Sequence, residues 1–149
     1  VIAIHVGFMY LPSLVTGALV DRIGRRPMAA ASGVTLLIAG ALAAAAPADS
    51  LGWLIVALAL LGLGWNFGLI SGTAMLVDAT VPESRAQIQG SVDVLIALGG
   101  AGGGAASGVI MAGSSFATLA LSGGLLAVLL LGVIWRNSAP PRDLAAAGA

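Results

Sequence analysis

Five stretches of this chain are long and apolar enough to cross a lipid bilayer, and that constrains its fold more than any other feature. A spanning helix needs about 20 mostly apolar residues. Residues 1–20, 28–46, 51–77, 86–112 and 116–135 meet that requirement. None shows the period-two alternation of a half-buried strand, and all are too long for one. Composition agrees, since 59% of the residues are hydrophobic and only 8% charged, with a mean hydropathy of +1.08. A soluble domain carries about 25% charged residues. The predicted fold class is therefore an all-α membrane protein of five transmembrane helices. One bundle is predicted over residues 1–136, followed by a Pro-rich cytoplasmic tail, 137–149, with too little to bury to be ordered. The lipid bilayer is the first partner implied. The zero net charge argues against nucleic acid. With no cysteine and no cluster of metal ligands, neither a cofactor nor a metal is expected. The opening "VIAIHVGF" has no initiator Met and no basic segment before its apolar run. It reads as the start of a fragment rather than as a signal peptide.

The charges fix an orientation. Counting alternate connectors, Arg22, Arg25, Arg26, Arg85, Arg136 and Arg142 all fall on one side of the bundle and none on the other. The positive-inside rule makes that side cytoplasmic, so the first span enters from outside and the C-terminus is cytoplasmic. Half of the arginines sit in "GALVDRIGRRP", residues 17–27. A topogenic hairpin would account for the charge alone, but the order of residues says more. Gly17 allows close backbone approach. Asp21 is an acid at a helix C-terminus, where the dipole disfavours it, so it calls for a partner: an arginine of its own turn or another helix's N-terminus. Further on, Thr80 and Glu83 form a capping-box pattern, with Pro82 fitted to a first helical turn.

This hairpin resembles the Gly-x-x-x-Asp-Arg-x-Gly-Arg-Arg signature of the major facilitator superfamily of secondary transporters, matching at Gly17, Asp21, Arg22, Gly24, Arg25 and Arg26. In that family the signature joins the second and third helices and recurs between the eighth and ninth. The resemblance covers residues 1 to about 136 and implies helices two to six or eight to twelve of a twelve-helix transporter. The latter is favoured. The third span, "LIVALALLGLGWNFG", lacks the arginine that the family's fourth helix carries, and the chain stops soon after its last helix. The resemblance also implies that the signature aspartate contacts a helix of the other half and steadies the outward-open state. Asp21's partner would then lie in a missing N-terminal half.

Helix faces nominate the site. At 100° per residue, Gly64, Gly68 and Gly72 lie within about 80° and form a small-residue ridge, while Gly62, Asn66 and Thr73 cluster within about 40° on nearly the opposite side. Asn66, between Trp65 and Phe67 near mid-span, is a candidate for solute contact. An interhelical hydrogen bond is the alternative. Trp65, Asn66 and Thr73 are expected to line a substrate path. On the fourth span Ala86, Gln89, Gly90, Asp93, Ala97, Gly100, Gly104, Ser107 and Gly108 fall within about 100° of one stripe. That turns Asp93 toward protein or a water-filled cavity. An acid there costs about 2.5–3.5 kcal/mol to insert, so a role is the default expectation. Asp93 is either a proton-coupling or gating carboxylate, with Gln89, or a partner for an arginine at the cytoplasmic gate. Arg85 lies roughly 12 Å away along the axis. "GGAGGGAASG", residues 99–108, is expected to be helical, since lipid-exposed irregular backbone is excluded. Pro12 is expected to kink the first span, with a hinge as the sharper alternative. His5, the one histidine, reads as an interfacial residue rather than a pH sensor.

The function this supports is secondary active transport of a small solute by alternating access, with proton coupling as one option, in the plasma (cytoplasmic) membrane. The alternative is a non-transporting scaffold or degenerate transporter fragment. An intramembrane enzyme fits poorly. "GLISG" has the wrong spacing for a membrane serine protease, His5 is at the wrong depth for a Ser–His pair, and an aspartyl dyad would lack its second acid.

Overall fold

The computed structural model describes residues 1–47 and 49–136. The expected disordered tail and Arg142 lie outside them. Six helices follow one another: α1 (Ile2–Tyr10), α2 (Ser13–Ile23), α3 (Arg25–Ala45), α4 (Leu51–Ala79), α5 (Pro82–Gly113) and α6 (Phe116–Arg136). Helices α3 to α6 are each long and apolar enough to span a bilayer. The pair α1 and α2 makes a fifth span, broken and bent by 43°. No strand occurs among the described residues.

The breaks have local causes. Pro12 has no N–H to give the Phe8 carbonyl, so the helical ladder is interrupted there. Leu11 N–H still bonds Gly7 O at 2.9 Å, and the ladder resumes when Thr16 N–H bonds Pro12 O at 2.8 Å. The charged hairpin, expected as a connector over residues 21–27, is almost entirely helical. Its one break is Gly24, at φ 104°, a conformation that glycine adopts without strain. Asp21 and Arg22 thus belong to α2, and Arg25 and Arg26 to α3. Residues 99–108 are helical, inside α5.

The capping box does not form. Val81, held extended ahead of Pro82, is the N-cap of α5 and makes no side-chain cap bond. Thr80 instead donates its hydroxyl to Leu76 O at 2.9 Å. It sits at the end of α4, where unpaired carbonyls outnumber available donors.

Helix α3 packs between α4 and α6, and small residues set the spacing. A β-carbon on Gly40 would lie 2.9 Å from the Ala120 carbonyl oxygen of α6, and one on Gly64 would lie 2.8 Å from Leu36 of α3. Ser32 of α3 ties the two backbones by donating to Gly64 O at 2.6 Å. The expected ridge therefore operates at Gly64 and Gly68, both against α3, whereas Gly72 faces open space. Close approach through small residues is how helices associate where water cannot drive them together. Helix α5 buries none of its residues fully, so most of its small-residue stripe, Asp93 included, is open in this chain.

Candidate functional site

At the charged end of the bundle, Arg25 in the first turn of α3 reaches Asp78 in the last turn of α4. Nε lies 2.5 Å from Oδ2, and Nη2 donates to Oδ1 at 3.1 Å. Two contacts from one guanidinium to one carboxylate fix an orientation as well as a distance. The pair pins the ends of two spans 53 residues apart in sequence, and it is the one ion pair among the described residues. Asp21 makes no hydrogen bond or ion pair among them, and neither do Arg22 and Arg26. Of the two kinds of partner open to Asp21, an arginine of its own turn is not met among the described residues, where Arg25 turns to α4 instead. Both members of the Arg25–Asp78 pair remain substantially exposed, so we expect Asp78→Asn to cost less than about 1 kcal/mol in thermal stability, an effect that fades with added salt. The swapped double variant Arg25→Asp with Asp78→Arg is expected to restore the salt-sensitive part.

Asn66 is 1% exposed and turned toward α1 and α2. Its Nδ2 donates to Met9 O at 2.8 Å and to Ser13 Oγ at 3.1 Å, and its Oδ1 accepts from Thr16 Oγ1 at 2.5 Å. The amide orientation is determined by chemistry, because the Met9 carbonyl can only accept. Gly62, one turn away on the same face, is where α1 crosses α4. A β-carbon there would fall onto the His5 carbonyl oxygen. The face bearing Gly62 and Asn66 thus serves as a second close helix contact, with a polar network at its centre.

Thr73 lies elsewhere. It shares a cavity of about 340 Å³ with Gly68, Gly72, Leu76, Gln89 and Val92, between α4 and α5. Gln89 extends the polar side of this cavity along α5, its Nε2 donating to Asp93 Oδ1 at 2.9 Å. With one of its two N–H groups used on Asp93, Gln89 keeps the other as a donor and its Oε1 as an acceptor. Arg85 does not join Asp93. Its Nη2 donates to Val77 O at 3.3 Å and Thr80 O at 3.2 Å, capping the end of α4. Trp65 is 41% exposed and borders a separate cavity of about 310 Å³ with His5, Met9, Leu36 and Leu61. His5 Nδ1 lies 2.9 Å from Leu58 O, so in the neutral ring that nitrogen carries the hydrogen.

The residues nominated from sequence thus fall into separate places: Thr73, Gln89 and Asp93 together, Asn66 at the broken span, Trp65 beside His5, and the arginines at one end. Three participants were not nominated: Asp78, Ser13 and Thr16. Asp78 had a signal, an acid just past an apolar run on the arginine-bearing side. Ser13 and Thr16, three residues apart on one helical face, had a weaker one.

The family model that matches this chain is described as Major Facilitator Superfamily and covers residues 1–149. Among curated proteins, the chain is 63% identical over 134 residues to the "Uncharacterized MFS-type transporter YdeG" of Bacillus subtilis (strain 168), covering 90% of this chain and 31% of that protein. It is 58% identical over 134 residues to the "Uncharacterized MFS-type transporter YddS" of the same organism, with the same coverage. A third relative, at 39% identity over 92 residues, is the "Riboflavin transporter RfnT" of Brucella anthropi, covering 62% of this chain and 23% of that protein. The chain therefore spans about 31% of the length of the first two relatives. No solved structure gives a significant match.

Proposed function

Since the chain belongs to the major facilitator superfamily, whose members are multi-pass membrane transporters, we propose that it forms part of the solute path of a secondary active transporter. The reading is of helices eight to twelve, most of the C-terminal half of an alternating-access machine in which two halves rock around a site near the bilayer midplane. The arginines on alternate connectors support a cytoplasmic placement of the α2–α3 hairpin and of the C-terminus. In this reading Arg25 and Asp78 tie α3 to α4 at the cytoplasmic end, leaving Asp21 to meet the other half.

The observation that carries the proposal is the α4–α5 cavity. Thr73 and Gln89 place polar groups in an otherwise apolar pocket, and Asp93 lies hydrogen-bonded to one of them. Solute sites have this composition: apolar walls for affinity and a few polar groups for orientation. The neutral pair supports a solute with a hydrogen-bonding edge and an apolar body. The riboflavin transporter among the relatives puts riboflavin on the panel of solutes to try.

The test is flux by the full-length protein reconstituted in liposomes, against a solute panel, with and without an imposed proton gradient. We expect saturable transport of at least one solute, lowered by Gln89→Leu with the protein level unchanged. Absence of flux for every solute, or indifference to both Gln89→Leu and Thr73→Val, would overturn the assignment of this cavity.

A further inference from the structure

We infer that Asn66 is a positioning residue that sets the bend between α1 and α2, by bonding a backbone carbonyl that is free only while the span is broken. In an unbroken helix the carbonyls of Phe8, Met9 and Tyr10 would accept from the N–H groups of residues 12, 13 and 14. Pro12 removes the first of those donors outright. The structure supplies side-chain donors for the next two. Asn66 Nδ2 takes Met9 O, and Ser13 Oγ takes Tyr10 O. The second Asn66 N–H goes to the same Ser13 Oγ, so both amide hydrogens are spent at the break, while Oδ1 reaches Thr16 further along α2.

Proline deletes a bond and its ring crowds the Phe8 carbonyl, which forces a kink without holding it at one angle. The amide does hold it. Were α1 and α2 to straighten, Met9 O would return to the backbone ladder, and a fully buried amide would lose its acceptor in apolar surroundings, where unpaired polar groups are costly. Asn66 therefore favours the bent form specifically, and a group biases a conformational equilibrium only through such a differential interaction. Gly62 makes the contact possible. Without a side chain there, the α1 backbone lies directly against α4, one turn from Asn66 on the same face. The consequence for transport rests on the reading above. Helix α4 also carries Thr73 and one wall of the solute cavity, so a movement of α4 carries the α1 arm with it.

The test reads geometry, not transport. The chain contains no cysteine, so thiols introduced into it are unique within it. Spin labels at Ile2→Cys, exposed on α1, and Leu51→Cys, at the exposed end of α4, report their separation by pulsed EPR in the full-length protein in nanodiscs. Residue 2 lies about 13 Å along α1 from its end at Tyr10, so swinging α1 through the observed 43° moves that position by roughly 9 Å. Asn66→Leu is expected to shift the distance by several Å or broaden it to that width. Thr16→Val removes the bond to Oδ1 but leaves the one to Met9, and is expected to keep the wild-type distance. A wild-type distance in Asn66→Leu, or an equal shift in Thr16→Val, would sink the inference, the second by showing simple loss of packing. If Asn66→Leu does not accumulate, Asn66→Asp is read by the same criterion, since it keeps the acceptor for Thr16 and turns an oxygen toward Met9 O. Because no solute is present, failure of the transport reading leaves this result standing, and the converse also holds.

Discussion

Gly62→Leu is expected to prevent the protein from accumulating in the membrane, and Gly62→Ala to destabilise it by about 1–3 kcal/mol, the usual cost of forcing an extra carbon into a packed contact. The β-carbon at this position would overlap the His5 carbonyl oxygen and lie 3.2 Å from both Met9 N and Phe8 Cβ. Backbone atoms cannot swing aside as a leucine tip can, so α1 must move off α4 as a unit. That displacement also lifts Met9 O away from Asn66, one turn along the same face, and strands a buried amide. Two losses therefore follow from one methyl group. Gly72 supplies the control: it lies on the same helix, and a β-carbon there meets nothing within 4 Å. Thermal unfolding of detergent-purified full-length protein should separate Gly62→Ala from Gly72→Ala clearly. Coincident melting curves would show that the α1–α4 crossing is not the tight contact described.

On the transporter reading, Asp93→Asn is expected to lower flux at least tenfold, about 1.4 kcal/mol in the limiting barrier. An ionisable group in a spanning helix costs about 2.5–3.5 kcal/mol to insert, and Asp93 has no basic partner among the described residues to offset that. Its one hydrogen bond is from Gln89. Asparagine is nearly the same size and can still accept from Gln89, so the variant removes the carboxylate and its proton while leaving the local geometry alone. Flux measured in liposomes over a range of internal and external pH distinguishes the roles. A flattened profile with exchange retained supports coupling. Loss of flux with an unchanged profile supports a gate. Wild-type flux at every pH would remove Asp93 from the mechanism.

Much of this was legible in the residue order. Hydropathy alone marks every span, because a bilayer accepts only backbone that satisfies itself and demands about 20 apolar residues for it. The first span illustrates the limit of that reading: an average over residues 1–20 registers one hydrophobic run, although Pro12 divides it into α1 and α2. Small-residue periodicity likewise marked Gly64 and Gly68 for close helix contact, though not α3 as the partner. It could not tell that Gly72, in the same register, would face nothing. The missed capping box at Thr80 has a similar cause, since one hydroxyl between two helices can serve either, and the pattern of residues names only one of them.

The candidate site divides the same way. Periodicity put Gly62, Asn66 and Thr73 on one face and Gln89 and Asp93 on another; in the structure Gly62 and Asn66 meet α1 and Gln89 bonds Asp93, but Thr73 parts from its group and lines the α4–α5 cavity. Which neighbour fills each face was decided only when the helices packed. Asn66 met the broken end of α1, Thr73 came to line one cavity with Gln89, and Arg25 found Asp78 rather than an acid in its own turn. The amino-acid order determined that this is a helical membrane chain of a transporter family, because spanning helices and a charged signature are local properties. The tertiary structure alone decided the partners of its polar groups, because hydrogen bonds and ion pairs 50 or more residues apart depend on crossing positions that no local pattern encodes.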